Sequence, residues 1–137
     1  MKLDYLSQVK MFSSLNKKEL RLVARAADVA DVPAGKDIVK EGEMGHEFYL
    51  IVSGSATVRR NGRKVGTLGP GSYFGELSIL DRGPRSATVT ADEPTELVVL
   101  GQREFLNVLD EVPGVSHKLL VGMAQRLREA DTRALSH

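Results

Sequence analysis

Apolar residues fall three apart at the front of the chain, at Leu6, Val9 and Phe12, which is helical spacing. The run Leu15-Asn16-Lys17-Lys18-Glu19-Leu20 then carries a helix start. Asn16 can cap, Glu19 three positions later can reach back to the backbone N–H of the cap, and Leu15 and Leu20 flank the pair as a hydrophobic staple. Leu20, Val23, Ala24 and Ala27 share one face, so the pattern predicts a helix to about Asp28. From Val29 to Leu100 the pattern changes to short apolar runs broken by glycine. Strands are predicted at 37–40, 48–52, 56–60, 64–68, 86–91 and 96–100, several of them bounded by Gly35, Gly42, Gly54, Gly69 and Gly71. Asn61-Gly62 stands between two such runs and is the preferred pair for a two-residue hairpin, where both positions need positive φ. After Leu100 the helical period returns. Residues 102–110 form a short amphipathic segment that Pro113 stops. A longer helix follows, with Val115, Leu119, Met123, Leu127 and Ala130 on one face. That stripe reads as packing within the chain, with a weak homodimer through the same helix as the other reading. The fold class predicted is α+β, mainly β: an antiparallel jelly-roll-like β-barrel of about eight short strands, flanked by N-terminal and C-terminal helices.

The chain has 137 residues, which suits one domain: helices over 1–28, barrel over 29–100, closing helices over 102–135. Its 19 basic and 18 acidic residues nearly cancel and are interspersed, so no global field favours nucleic acid or an anionic membrane. With no cysteine there are no disulfides and no thiolate metal sites, which fits a cytoplasmic protein. The first ten residues hold no apolar run long enough for a signal peptide, and no stretch approaches the ~20 apolar residues of a membrane helix.

The run Phe74-Gly75-Glu76-Leu77-Ser78-Ile79-Leu80 and its continuation Pro84-Arg85-Ser86-Ala87-Thr88-Val89 carry chemistry that a simple turn would not need. A helical turn opening at Gly75 would point unpaired N–H groups outward, and glycine permits close approach. Arg85, nine residues after Glu76, offers a planar fork that can hold two phosphate oxygens. A carboxylate beside a bound phosphate needs a task of its own, either accepting from a sugar hydroxyl or pairing with an arginine. Phosphate with a neighbouring hydroxyl describes a ribose phosphate.

These two runs resemble the phosphate-binding cassette of the cyclic nucleotide-binding domains, found in regulatory subunits of the cAMP-dependent kinase, the bacterial catabolite activator and the cyclic-nucleotide-gated channels. Gly42, Phe48, Tyr49 and Gly54 are similar to the family's pattern upstream. Leu6 to Leu15 resembles its N-terminal helical element, and Glu104, Phe105 and Pro113 its hinge helix. The resemblance covers nearly the whole chain. It implies that Glu76 accepts from the ribose 2′-hydroxyl beside the Gly75 backbone and that Arg85 pairs with the cyclic phosphate. It also implies that the N–H groups of Ser78 and Ser86 donate to phosphate oxygens, with Ala87 completing the cassette. Leu77, and Val65 on a neighbouring strand, would line the base and sugar. In the family the last helix folds over the base, which makes Arg126 a lid residue and Ala130 its apolar companion. Ser86 stands where the family varies with its ligand, and its hydroxyl could serve adenine or guanine; cAMP is favoured over cGMP.

The bland readings stand beside these. Glu76 and Arg85 could form a surface ion pair across a hairpin, contributing ~0–1 kcal/mol. Arg82 is a solvated residue or a partner of Glu76. An enzyme on a related barrel, of the cupin kind, would need a cluster of metal-ligating side chains; His46, His117 and His137 are far apart in sequence and supply none. No catalytic set is expected, and no cofactor or metal. A third reading is a protein-interaction module of the same fold that no longer binds nucleotide. The expected partners are a cyclic nucleotide and a separate effector protein, with the domain standing alone as a sensor.

Overall fold

The structure, a computed structural model, describes residues 6, 7 and 9–135, and of 131–135 the backbone alone. A 3₁₀ turn at Lys10–Phe12 leads into helix α1 (Lys17–Ala26). Eight strands follow: β1 (Asp28–Val32), β2 (Asp37–Val39), β3 (Glu47–Ser53), β4 (Ala56–Arg60), β5 (Arg63–Leu68), β6 (Tyr73–Phe74), β7 (Thr88–Ala91) and β8 (Thr95–Gly101). The short helix α2 (Glu76–Leu80) interrupts them between β6 and β7, and α3 (Gln102–Glu111) and α4 (Pro113–Leu135) come after β8. The strands form two antiparallel four-stranded sheets, ordered β1-β8-β3-β6 and β2-β7-β4-β5.

The two central strands of the first sheet, β3 and β8, are buried on both faces. Side chains alternate across a strand. Phe48, Leu50, Val98 and Leu100 therefore point to the helices, where they meet Phe12, Val23, Phe105, Val108 and Val115. Phe48 stacks on Phe105 with ring centroids 4.5 Å apart. Tyr49, Ile51, Leu97 and Val99 point the other way, into a second core between the sheets with Val39, Phe74 and Val89. This is why β3 and β8 read as continuous apolar runs rather than as alternating ones. At about 25 cal/mol per Å² of apolar surface, both cores are driven by ordinary burial.

The predicted start of α1 is present in full: Asn16 accepts from the Glu19 backbone N–H and the Glu19 carboxylate accepts from the Asn16 N–H. The helix ends at Ala26 rather than near Asp28. Ala27 is extended, and Asp28 already pairs with Val99 in β1, so sheet pairing overrides the helical period of the alanines. Asn61 and Gly62 both have positive φ, 54° and 78°, and make the predicted β4–β5 turn. Two strands were not foreseen, β1 and the two-residue β6. The strand expected over 86–91 begins at Thr88, because 84 and 85 pair with the 42–44 segment: the Arg85 N–H donates to the Glu43 carbonyl and its own carbonyl accepts from the Gly42 N–H. Pro113 does not close α3 but opens α4, the first-turn position where its missing N–H costs nothing. On α4, Val115 and Leu119 are buried and Met123 packs against the first core. Leu127, expected on the same packed face, is 64% exposed, since the helix has by then run past the first core. No helix among the described residues is long and apolar enough to cross a membrane.

Candidate functional site

The chain leaves β6 at Phe74 and must turn at once into α2. Gly75 makes that turn with φ +97°, and a Cβ there would lie 2.7 Å from both the Arg85 guanidinium and the Glu47 carbonyl oxygen. Only glycine fits this conformation and this crowding together. Glu76, Ser78 and Ile79 on α2 are buried and Leu77 faces outward.

Arg85 is 7% exposed. Its Nη1 donates to the Gly75 carbonyl at 3.1 Å and its Nη2 to the Glu47 carbonyl at 2.9 Å. The guanidinium also lies 5.7 Å from the Tyr49 ring centroid. Neither hydrogen bond goes to a carboxylate. A buried cation ordinarily demands a counter-charge, and burial pushes the Arg85 pKa down, with Tyr49 and the Glu47 and Glu76 carboxylates pushing it back up. An arginine carries five N–H donors, so the two carbonyls leave most of the fork unspent.

Glu76 is 2% exposed. Its Oε1 accepts from Arg126 Nη1 at 3.0 Å, and its Oε2 is buried with no hydrogen-bond partner. The Arg126 guanidinium lies 5.2 Å from the Tyr73 ring centroid, an arrangement that holds a cation over an aromatic face. Burial raises the Tyr73 pKa and the Arg126 charge lowers it. Gly122, one turn before Arg126, brings α4 so close to β6 that a Cβ there would meet the Tyr73 hydroxyl at 2.5 Å.

The structure brings Gly75, Glu76, Leu77, Ser78, Arg85, Ser86, Ala87 and Arg126 around one cavity of about 420 Å³, and Val65 and Ala130 line it as well. That volume lies in the ~300–1,000 Å³ range of small-molecule sites. Apolar side chains of the second sheet, Val58, Leu68 and Val89, form its floor. The surface ion pair between Glu76 and Arg85 is not what forms: each is buried, and each has other partners. Arg82 remains exposed with φ +56°, and Arg126 rather than Arg82 pairs with Glu76.

Four residues at this site were not foreseen. Tyr73 lines the cavity under Arg126. The carbonyl of Glu47 holds Arg85, while its carboxylate accepts from the Tyr49 hydroxyl at 2.9 Å. That bond and, above all, burial push the Tyr49 pKa up to about 12. Gly45 is buried beneath Arg85, and a side chain there would collide with the guanidinium. Arg60 on β4 lines the cavity and donates from Nε to the Ser86 carbonyl at 3.0 Å. Signals existed only for Gly45, a glycine with no predicted turn to explain it. Among the described residues no cluster of three histidine or carboxylate side chains could hold a metal ion. His46 meets Gln102 instead, and His137 lies outside the described residues.

Residues 29–112 match the family model described as the cyclic nucleotide-binding domain. The chain is 38% identical over 126 residues to the cyclic AMP receptor protein of Thermus thermophilus, covering 88% of this chain and 58% of that protein. It is 40% identical over 111 residues to a cGMP-dependent protein kinase of Eimeria tenella, covering 81% of this chain and 11% of the kinase. The crystal structure of the Thermus thermophilus catabolite activator protein superposes with a TM-score of 0.83 at 38% identity, over 90% of this chain and 61% of that one. This chain thus spans less than two thirds of the length of each of these relatives.

Proposed function

The chain belongs to the cyclic nucleotide-binding domain family, whose domains regulate rather than catalyse, and we propose that its cavity takes cAMP in preference to cGMP. The observation that carries the reading is a buried guanidinium bonded only to carbonyl oxygens, in the same cavity as a buried carboxylate oxygen without a partner. The first asks for an anion, the second for a hydroxyl donor, and a ribose cyclic phosphate supplies both. In this reading Arg85 meets the phosphate oxygens, together with the N–H groups of Ser78 and Ser86. Glu76 accepts from the 2′-hydroxyl. Leu77, Ala87 and Val65 contact the sugar and base, and Arg126 and Ala130 close over them. Adenine is favoured because a relative that is 38% identical over 88% of this chain is a cyclic AMP receptor protein; the serine at 86 is compatible with it.

Ligand binding draws the loop carrying Arg85 inward, and α3 and α4 follow. The shift is limited to the ligand's differential affinity for the two arrangements. An effector beyond these residues reads it.

Thermal melts with cAMP, cGMP, 5′-AMP or no ligand test the reading. A ligand at 100 times its Kd stabilises the folded state by about 2.7 kcal/mol, which moves the midpoint by several degrees, at roughly 2–8 °C per kcal/mol in small domains. The expected order is cAMP above cGMP, with no rise for 5′-AMP. An unchanged midpoint with all three defeats the ligand assignment.

A further inference from the structure

The tip of the β4–β5 hairpin holds four cations in six residues: Arg59, Arg60, Arg63 and Lys64 about the Asn61-Gly62 turn. The register sets them directly against each other, Arg59 opposite Lys64 and Arg60 opposite Arg63. Like charges facing across a ladder destabilise it, so the hairpin carries a standing repulsion. One carboxylate stands close by, that of Glu41, and offsets only part of the charge. Among the described residues no ion pair to any of the four is formed, and the nearby Glu41 accepts from the Asn61 backbone N–H instead. The chain's net charge is only +1, so this is a local concentration and not a general excess.

The hairpin is also the rim of the cavity. Arg60 and Val65, on either side of the turn, line it directly. Arg63 and Lys64 are one or two residues from Val65, about 3–7 Å along a strand, which is inside the ~8 Å screening length at physiological salt. On the opposite side of the mouth stands one exposed carboxylate, Glu129, while Glu76 is already paired with Arg126.

We propose that the charge which Arg63 and Lys64 hold just outside the cavity on this hairpin is an electrostatic capture element: it raises the rate at which an anionic ligand enters without contributing to how long it stays. The inference rests on the ligand reading above and adds a kinetic role that the binding residues do not have. Charge of one sign around a cleft raises local counter-ion concentration and on-rate, steeply dependent on salt. Arg63 and Lys64 do not line the cavity, so they act through the field and not through contact. Arg60 does both: its Nε holds the Ser86 carbonyl, which places part of the charge beside the loop that receives the phosphate.

Stopped-flow binding of a cAMP carrying an environment-sensitive fluorophore on the purine tests this. Three proteins are compared: the unmodified chain, the double variant Arg63→Gln/Lys64→Gln, and a control, Lys17→Gln/Lys18→Gln, that removes the same charge from α1. At low ionic strength the hairpin variant should associate roughly three- to tenfold more slowly, with an unchanged dissociation rate. The difference should vanish near 1 M salt, where the screening length is ~3 Å. The control should match the unmodified chain, and the hairpin variant should melt no lower than it. Equal association rates in all three, an equal loss in the control, or a loss that persists at high salt overturns the capture role alone. Failure of the unmodified chain to bind the probe overturns the ligand reading, and the capture role with it.

Discussion

The two walls of the cavity are built to different standards. On the barrel side Arg85 is buried, gripped by two backbone carbonyls and backed by Gly45 and Tyr49. On the helix side Arg126 is 53% exposed and joined by one hydrogen bond to Glu76 and by the face of Tyr73. Both are arginines turned toward the same space. The difference lies in what fixes them. The carbonyls that hold Arg85 belong to β3 and the β6–α2 turn, so this arginine shifts only with backbone, whereas a side-chain pair on a helix beyond Met123 can part and re-form. A preformed wall gives binding its geometry, and a weakly tied wall gives it something to move.

If the barrel wall is the preformed one, Arg85→Ala is the most damaging change. Charge-assisted hydrogen bonds contribute about 1.5–3 kcal/mol each, so losing the fork should reduce cAMP affinity at least ~100-fold by calorimetry. An affinity within threefold of the parent would show that the wall is not where the phosphate sits. Gly45→Ala probes the same wall without removing charge. Its methyl group would displace the guanidinium from its carbonyls, so affinity should fall roughly tenfold and the melting midpoint without ligand should fall as well, because a buried cation parted from its acceptors costs about 1–3 kcal/mol; a Cβ tolerated at no loss of affinity would mean that Arg85 has latitude.

The helix wall should respond more weakly. Arg126→Ala removes a half-exposed pair of the kind that contributes about 1 kcal/mol or less, so unliganded stability should drop only slightly and affinity a few-fold. Combining it with Glu76→Ala in a double-mutant cycle separates the tie between the walls from the role of Glu76 toward the 2′-hydroxyl. In that cycle 2′-deoxy-cAMP should bind Glu76→Ala as well as cAMP does. A retained preference for the hydroxyl would remove Glu76 from that role.

The smallest effect concerns Tyr49 and appears only in alkali. Its pKa is raised to about 12 in the folded chain, against 10.0 ordinarily, chiefly by burial. The folded state therefore keeps a proton that the unfolded state gives up. The stability this represents is complete below pH 10 and is lost as pH rises from 10 through about 12. Urea midpoints measured from pH 9 to 12 should fall less steeply in Tyr49→Phe; parallel curves would mean that Tyr49 ionises as easily folded as unfolded.

Much of this architecture could be read from the chain because it rests on local chemistry. The Asn16–Glu19 cap, the Asn61-Gly62 turn and the glycine-opened α2 each follow from residues a few positions apart. What escaped reading depends on distant partners. β1 is a strand because β8 lies beside it, and its exposed Asp28, Val29 and Asp31 break the two-residue alternation that marks a strand. β6 is two residues long and carries no periodicity. The grip of the Glu47 carbonyl on Arg85 spans 38 residues and uses a backbone atom that any residue would supply. The meeting of Arg126 with Glu76 spans 50 and depends on where Gly122 lets α4 cross Tyr73. Proline misled for a different reason: a proline can follow the end of one helix or open the next, and spacing alone does not say that Pro113 does the second.

Tyr73 sits under the Arg126 guanidinium at the rim of the cavity, and Tyr49 lies against Arg85. The chain has no tryptophan and three tyrosines in all. Its near-ultraviolet absorption and intrinsic emission therefore originate largely from the two arginine-facing phenols. Departure of the cation from Tyr73 alters the local field on that chromophore, as a change at Arg85 does on Tyr49. The domain thus carries its own optical gauge of whether α4 is seated, readable in unlabelled protein.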